Sequence, residues 1–245
     1  MNENLLQVQD GFKQFNSKTI LKKINLEIRR GDFVALIGPS GTGKTTLLRL
    51  LAGLETWSTS SFVEQKNSST SFVFQEPNLL SWRTLLENIQ LPLEIQKKPI
   101  NQEHLNKSLE AVHLEGAGTL FPHELSGGMK MRASLARALI TEPELLFMDE
   151  PFSALDEPTR EDLQDQLRKI WEARANTIVF VTHSLSEALF LANRIIFLSG
   201  KPASIFEDYK PNLPKQRDRE TRSSEIFFRE LSTIRNLFQK TKEIG

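Results

Sequence analysis

The segment that most restricts what this chain can fold into is residues 33–54. Phe33–Ile37 (FVALI) is apolar throughout, as a strand covered on both faces must be. It runs directly into Gly38-Pro39-Ser40-Gly41-Thr42-Gly43-Lys44-Thr45, and then into KTTLLRLLAGL, whose leucines recur at helical spacing until Gly53 offers a stop. The central segment fits the pattern G-x-x-x-x-G-K-[ST]. Glycines there let backbone N–H groups turn inward around phosphate oxygens with no side chain in the way. The helix that follows adds its positive end. Lys44 supplies a cation for β- and γ-phosphates, and Thr45 a hydroxyl for Mg²⁺. Strand, glycine loop and helix together predict a nucleotide site.

Two further segments carry chemistry. The apolar run Leu145–Met148 ends in Asp149-Glu150, which delivers two carboxylates to the strand end where α/β sheets bind ligands. Neighbouring strand residues point to opposite sides, so the two acids are free to differ in role. Asp149 is expected to hold Mg²⁺ through water, and Glu150 to orient or deprotonate the attacking water. Leu125-Ser126-Gly127-Gly128-Met129 opens a helix rich in Ala and Leu, and combines a hydroxyl, free N–H groups and a helix dipole. That is a second anion cradle, although an N-cap serine with a permissive turn would look the same. One nucleotide does not need two phosphate cradles in one chain.

The rest of the chain narrows the classes. Its 245 residues suit one large domain or a core with an inserted subdomain. Lys plus Arg and Asp plus Glu both number 31, so the basic excess of a nucleic-acid binder is missing and no nucleic-acid partner is expected. With no cysteine, disulfides, thiolate metal sites and cysteine nucleophiles are excluded together. His104, His113, His123 and His183 show no metal-ligand spacing. The N-terminus lacks the pattern of a signal peptide, and no apolar run reaches the ~18 residues of a membrane span, so a soluble, cytoplasmic chain is expected.

Along the chain, Asn25–Ile28 reads as a strand, residues 55–71 as a Ser/Thr-rich loop with one short strand at Phe62-Val63, and Ser71–Phe74 as another strand. From Asn78 to about Glu142 the pattern is helical. Thr177–Val181 follows as a strand after the amphipathic stretch Arg160–Trp171. This order puts a helical block inside an α/β core. In the tail, Lys215–Arg222 reads as a solvated charge-rich segment, whereas Phe227, Leu231, Ile234 and Phe238 share one helical face that should dock on the body.

These segments resemble, in family order and over about residues 5–205, the ATPase subunit of an ABC transporter. GPSGTGKT is similar to the Walker A loop, LSGGM to the family signature and LLFMDE to Walker B. Ser153-Ala154-Leu155-Asp156 resembles the D-loop, Gln75 the Q-loop glutamine and His183 the switch histidine. The discriminating element is LSGGM, since other P-loop NTPases share the Walker motifs.

The resemblance implies an α/β, P-loop NTPase (RecA-like) core with a small antiparallel β subdomain, over residues 1–75 and 144–205. Residues 76–143 would form an inserted α-helical signature subdomain, and 206–245 a C-terminal extension. It implies ATP and Mg²⁺, with Phe15 and residues Gly38, Pro39, Ser40, Gly41, Thr42, Gly43, Lys44, Thr45 and Thr46 on the nucleotide. Thr45, Gln75 and Asp149 would serve the metal, and Glu150, His183 and Gln75 the hydrolysis. Two copies would sandwich two ATP molecules, each completed by Ser126, Gly127, Gly128 and Asp156 of the other copy. The two-cradle puzzle then has an answer.

Residues 75–95 resemble the nitrate/sulfonate/taurine-type importer ATPases, with Ser81-Trp82-Arg83-Thr84 ahead of a TLLENI run. That implies import of a small anionic or organic solute, permease subunits, a solute-binding protein, and a peripheral place on the cytoplasmic face of the membrane. Leu79, Leu80 and Trp82 would receive the permease, or else belong to the helical core. Another import system, an export or lipid system, and a non-transport role on ribosomes or DNA are the alternatives. The chain departs from the family pattern in its short segment between Gly53 and Gln75, in Lys130-Met131-Arg132 where a central glutamine is usual, and in Phe15 where a tyrosine is usual.

Overall fold

The computed structural model describes residues 3–60, 62–65, 68–174 and 176–243. Two 12-residue strands, β1 (Asn4–Phe15) and β2 (Lys18–Arg29), form an antiparallel hairpin around Asn16-Ser17. Asn16 takes a φ of 51°, a left-handed value that asparagine tolerates and tight hairpin turns require. The expected strand at Asn25–Ile28 is thus the end of a longer one. Register shifts between Val8 and Gly11 and between Gly11 and Lys13 break the alternation along β1 and hide it from a period-two reading. Gly11 is covered by Trp57, whose ring would stand 2.6 Å from an added Cβ.

Then come β3 (Phe33–Ile37), α1 (Lys44–Leu51), β4 (Phe62–Gln65) and β5 (Thr70–Val73). The helical block is α2 (Leu85–Ile95), α3 (Gln102–Glu110) and α4 (Gly127–Leu139). The chain continues through β6 (Leu145–Asp149), α5 (Glu157–Arg174), β7 (Thr177–Val181), α6 (Leu185–Leu191), β8 (Arg194–Gly200) and β9 (Ala203–Tyr209). It ends with α7 (Arg219–Arg222) and α8 (Glu225–Glu243). Strand β9 runs on past residue 205, so part of the extension belongs to the sheet.

The nine strands of the described residues join one sheet in the order β4-β1-β2-β9-β8-β3-β7-β6-β5. From β5 to β8 every pairing is parallel; β9 turns back against β8, and β1 pairs antiparallel with both β2 and β4. The expected P-loop NTPase core is therefore present, with its antiparallel part at the other end of the same sheet.

Strands β3, β6 and β7 are buried at every residue, which is why they read as unbroken apolar runs. Alternate residues serve opposite faces. Phe33, Ala35 and Ile37 pack with α4, α5, α6 and α8, while Val34 and Leu36 pack with the leucines of α1. Helix α4 joins the two parts: Met131 and Leu135 enter the main core, and Ala133, Ala136 and Ile140 enter the core of the helical block. Met131, the departure noted after LSGGM, is thus turned inward.

Two expectations are corrected. The helical pattern does not start at Asn78, because α2 starts at Leu85 behind a Thr84–Glu87 capping box, a device worth about 1 kcal/mol. Residues 78–84 are a loop pinned by buried Asn88, which accepts from the Leu80 N–H at 2.7 Å and donates to the carbonyls of Leu80, Arg83 and Thr84. Arg137 holds the same loop through the carbonyls of Pro77 and Asn78.

Nor is Lys215–Arg222 simply solvated. Arg217 is buried and donates to the carbonyls of Leu189, Phe190 and Ala192 at the end of α6, and Arg219 and Arg222 pair with Asp162 and Asp165 on α5. The charges belong to a clamp. Beyond it, Phe227 and Ile234 are buried, and Leu231 and Phe238 pack beside them on the core.

Candidate nucleotide site

Strands β3, β6 and β7 are parallel neighbours in register, so Ile37, Asp149 and Val181 end at one edge of the sheet. The glycine loop, Asp149-Glu150 and Thr182-His183 therefore emerge side by side, where ligands of open α/β sheets sit.

Gly41 and Gly43 take φ values of 78° and 80°. The fold around the loop is also tight, since a Cβ on Gly38 would lie 2.6 Å from the Leu198 carbonyl oxygen. Thr42 braces the loop by donating from its hydroxyl to the Pro39 carbonyl at 2.8 Å. Lys44 is buried and folds back over the cradle, donating to the carbonyls of Gly38 and Pro39 at 3.0 Å each. Burial pulls its pKa below the ordinary lysine range, against the opposing pull of Glu150 and Asp149. An ammonium so placed prefers a phosphate oxygen, a charged acceptor, to two neutral carbonyls.

The Thr45 hydroxyl donates to Asp149 Oδ1 at 2.9 Å. Burial raises the Asp149 pKa; the Thr45 bond and the Arg49 guanidinium, 3.9 Å away, only partly offset it. A hydroxyl and an under-compensated carboxylate side by side are oxygen ligands suited to a hard cation that keeps most of its waters. Among the described residues no group of three or more His, Asp or Glu is placed to hold a metal by itself. Gln75 is not with this pair; its Nε2 donates to Glu150 Oε2 at 3.5 Å.

Glu150 has a φ of 48°, strained for a residue with a Cβ. Its N–H donates to the Val181 carbonyl, and its carbonyl accepts the Ser153 hydroxyl at 2.9 Å. His183 Nε2 meets Glu150 Oε1 at 2.5 Å. Under the histidine, Ser184 caps α6 and its N–H donates to Thr182 Oγ1, whose hydroxyl donates in turn to the buried Glu187 carboxylate. Arg160 of α5 stands 3.7 Å from Glu187, which ties the helix after Asp156 to the turn that carries His183.

Phe15, Ile20, Ser40, Gly41, Gly43, Lys44, Thr45, Thr46, Glu150 and His183 line one open cleft of about 400 Å³. Gly38, Pro39 and Thr42 shape the loop behind it. Ile20 and Arg49 carry no motif, and nothing in their local sequence singles them out; only their positions after the hairpin turn and on α1 place them here. Lys13 Nζ lies 4.4 Å from the centre of the Phe15 ring.

The remaining candidates form a separate corner. Ser126 caps α4 by accepting the Met129 N–H at 3.2 Å. Gly128 is packed, a Cβ there standing 3.1 Å from Thr159, while a Cβ on Gly127 would meet nothing within 4 Å. Thr159 also bonds Asp156, and these hydrogen bonds hold the exposed Asp156 carboxyl below its usual range. Ser126, Gly127, Gly128 and Asp156 are thus neighbours of one another, and none of them lines the cleft.

The comparisons agree with this geometry. The ABC transporter family matches residues 21–153, over half of the chain. The chain is 40% identical over 217 residues, 86% of each protein, to the aliphatic sulfonates import ATP-binding protein SsuB of Bacillus cereus. It is 38% identical over 243 residues to the protein of the same description in Bacillus subtilis, covering 97% of this chain and 92% of that one. Among solved structures, the ATP-binding cassette MJ0796, a dimer in a post-hydrolysis state bound to ADP and Pi, superposes with a TM-score of 0.75 at 30% identity, over 84% of this chain and 98% of that one. With the family matched over most of the loop, corner and carboxylate segments, and with relatives this similar over nearly their full length, the chain belongs to the ABC transporter ATP-binding family.

Proposed function

We propose that this chain is the ATP-hydrolysing subunit of an importer for small organic anions such as sulfonates, and that it works as a homodimer. The observation that carries the reading is the separation of two incomplete phosphate cradles. The cleft holds the glycine loop, Lys44, Glu150 and His183, while Ser126, Gly127, Gly128 and Asp156 form an outward corner elsewhere on the chain. A head-to-tail pair would bring the corner of one copy over the cleft of the other, and the similar cassette MJ0796 is a dimer. ATP bound by both halves then favours the closed pair, and hydrolysis reopens it.

Within the cleft each residue has a task. Lys44 leaves its loop carbonyls for the β- and γ-phosphates. Thr45, and Asp149 through water, would hold Mg²⁺, which when bound neutralises phosphate charge. Glu150 orients the attacking water and takes its proton, and His183 meets the γ-phosphate. Gln75, which meets Glu150 from beyond β5, reports the state of the cleft to the loop that follows it. Phe15 and Ile20 offer apolar surface to the base.

The solute class rests on the sulfonate-import relatives. No helix of the described residues is long and apolar enough to cross a membrane, and the description of the relatives as import ATP-binding proteins supports permease subunits as the transport path. Trp82, 72% exposed on the pinned loop 78–84, is the anchor offered to them at the cytoplasmic face, and a solute-binding protein delivers the anion. Scattering and size exclusion on Glu150→Gln with ATP test the dimer: a compact pair is expected, and a persistent monomer overturns it. Purification of the tagged chain from membranes, with ATPase assays on the captured assembly, tests the rest. Stimulation by an alkanesulfonate is expected, and association with ribosomes or DNA instead overturns the transport role.

A further inference from the structure

At the opposite edge of the sheet from the nucleotide cleft lies a second cavity of about 490 Å³, whose size suits a small-molecule ligand. It forms where the tail segment around Pro211–Arg217 crosses the starts of β3 and β8 and the end of α5. Strand β3 separates the two sites, with Phe33 at this end and Ile37 at the other.

Its lining is rich in cations. Arg30 is paired with Glu144 at 2.9 Å and Arg168 with Glu172 at 2.8 Å, whereas Lys215 and Arg217 have no salt bridge among the described residues. Arg168 is 1% exposed and Arg217 7%. Burial, and after it the neighbouring Arg168 cation, bring Arg217 down to about 9 against the opposing pull of Glu172 and Glu230. Glu230, the other carboxylate near Arg217, is engaged by the Tyr209 hydroxyl at 2.8 Å and the Asn212 N–H at 3.1 Å.

Donors are left over. Arg217 spends Nε and Nη1 on carbonyls, but its Nη2 has no acceptor among the described residues. The indole N–H of buried Trp171, also in the lining, has none either. Trp171, Pro211 and Leu213 make the remaining wall apolar.

We propose that this cavity binds a small oxyanion bearing a short apolar chain, with the anionic head on Arg217 and Lys215 and the chain against Trp171, Pro211 and Leu213. Such a ligand answers the charge of Lys215 and the unused Nη2 of Arg217, and ties the tail to α5 and the sheet. The site does not depend on the transport reading.

Calorimetric titration of the full chain, saturated with ADP so that the glycine loop is filled, tests it with butanesulfonate and methanesulfonate. One saturable site with Kd of about 1 mM or tighter is expected for butanesulfonate. Each buried methylene adds about fourfold, so butanesulfonate should bind roughly tenfold tighter than methanesulfonate even if the chain is only partly covered. Lys215→Glu reverses an exposed charge that makes no salt bridge among the described residues and sets a carboxylate near Arg217, so it should weaken binding about fivefold or more while holding or raising the melting temperature. Lys44→Ala should leave the titration unchanged. No saturable binding, equal affinity for the two sulfonates, indifference to Lys215→Glu, or loss of binding in Lys44→Ala would each overturn the proposal.

Discussion

His183 Nε2 lies 2.5 Å from Glu150 Oε1, and the two reach this contact from the ends of adjacent parallel strands. Glu150 is held there with a left-handed backbone by the Val181 carbonyl, so the candidate base is positioned by the strand that also carries the histidine. Glu150→Gln keeps the shape and the Gln75 contact but removes the base. ATP binding should persist, hydrolysis should slow by about a hundredfold or more, and the ATP-bound pair should accumulate on size exclusion. Normal turnover in this variant would remove Glu150 from the chemistry.

Lys44→Ala takes the only cation out of the glycine loop. It also removes a buried charge held by two neutral carbonyls, so the ligand-free fold should lose little. Turnover efficiency should fall by about a hundredfold, through the loss of charge on the phosphates. Phosphate release and nucleotide titration measure it.

Asp149 carries a raised pKa because burial outweighs the Thr45 and Arg49 contacts. A carboxyl that is easier to protonate folded than unfolded adds stability fully below its unfolded pKa, and that contribution is lost as pH rises through its folded pKa. The ligand-free chain at neutral pH therefore bears the cost of the ionised form. Asp149→Asn should raise the ligand-free melting temperature and flatten its pH dependence on the acid side. The further rise that Mg²⁺ adds to ATP in the parent should disappear, as thermal melts with and without Mg²⁺ can show.

The space over Gly127 is open in the chain itself. Gly127→Val meets no neighbour and does not lower helix propensity, so the melting temperature should stay within about 2 °C. A second copy would meet the new side chain where it closes over the phosphates, and ATP-driven pairing should fail. Retained pairing would place the interface elsewhere.

Trp82 is exposed on a loop whose backbone is held by Asn88 and Arg137, not by the indole. Trp82→Ala should change stability by no more than about 0.5 kcal/mol. Capture of permease subunits from membranes should drop sharply, while Asn88→Ala, which frees the loop, should reduce both.

The contiguous parts of the site were legible in the sequence. The glycine loop, Asp149-Glu150 and Ser126–Gly128 are each built from backbone amides or side chains a few residues apart, so fixed spacing records them, and apolar runs mark the strands that lead into the first two. The β1–β2 hairpin was not legible, because register shifts erase its alternation. Arg217 read as one charge in a solvated run, since the three carbonyls it binds at the end of α6 lie more than twenty residues away in sequence.

By itself, then, the sequence determined a glycine loop, a carboxylate pair and a serine–glycine helix start, because short-range hydrogen bonding and periodicity are properties of neighbouring residues. The order of strands in the sheet decided what they meet. It brought Gln75, from beyond β5, and His183, from beyond β7, onto the one carboxylate of Glu150, and set the Ser126 corner away from the cleft it resembles. It also folded the tail arginines onto the far edge of β3 and β8. Such contacts join segments tens of residues apart, and only the packed sheet carries the information that aligns them.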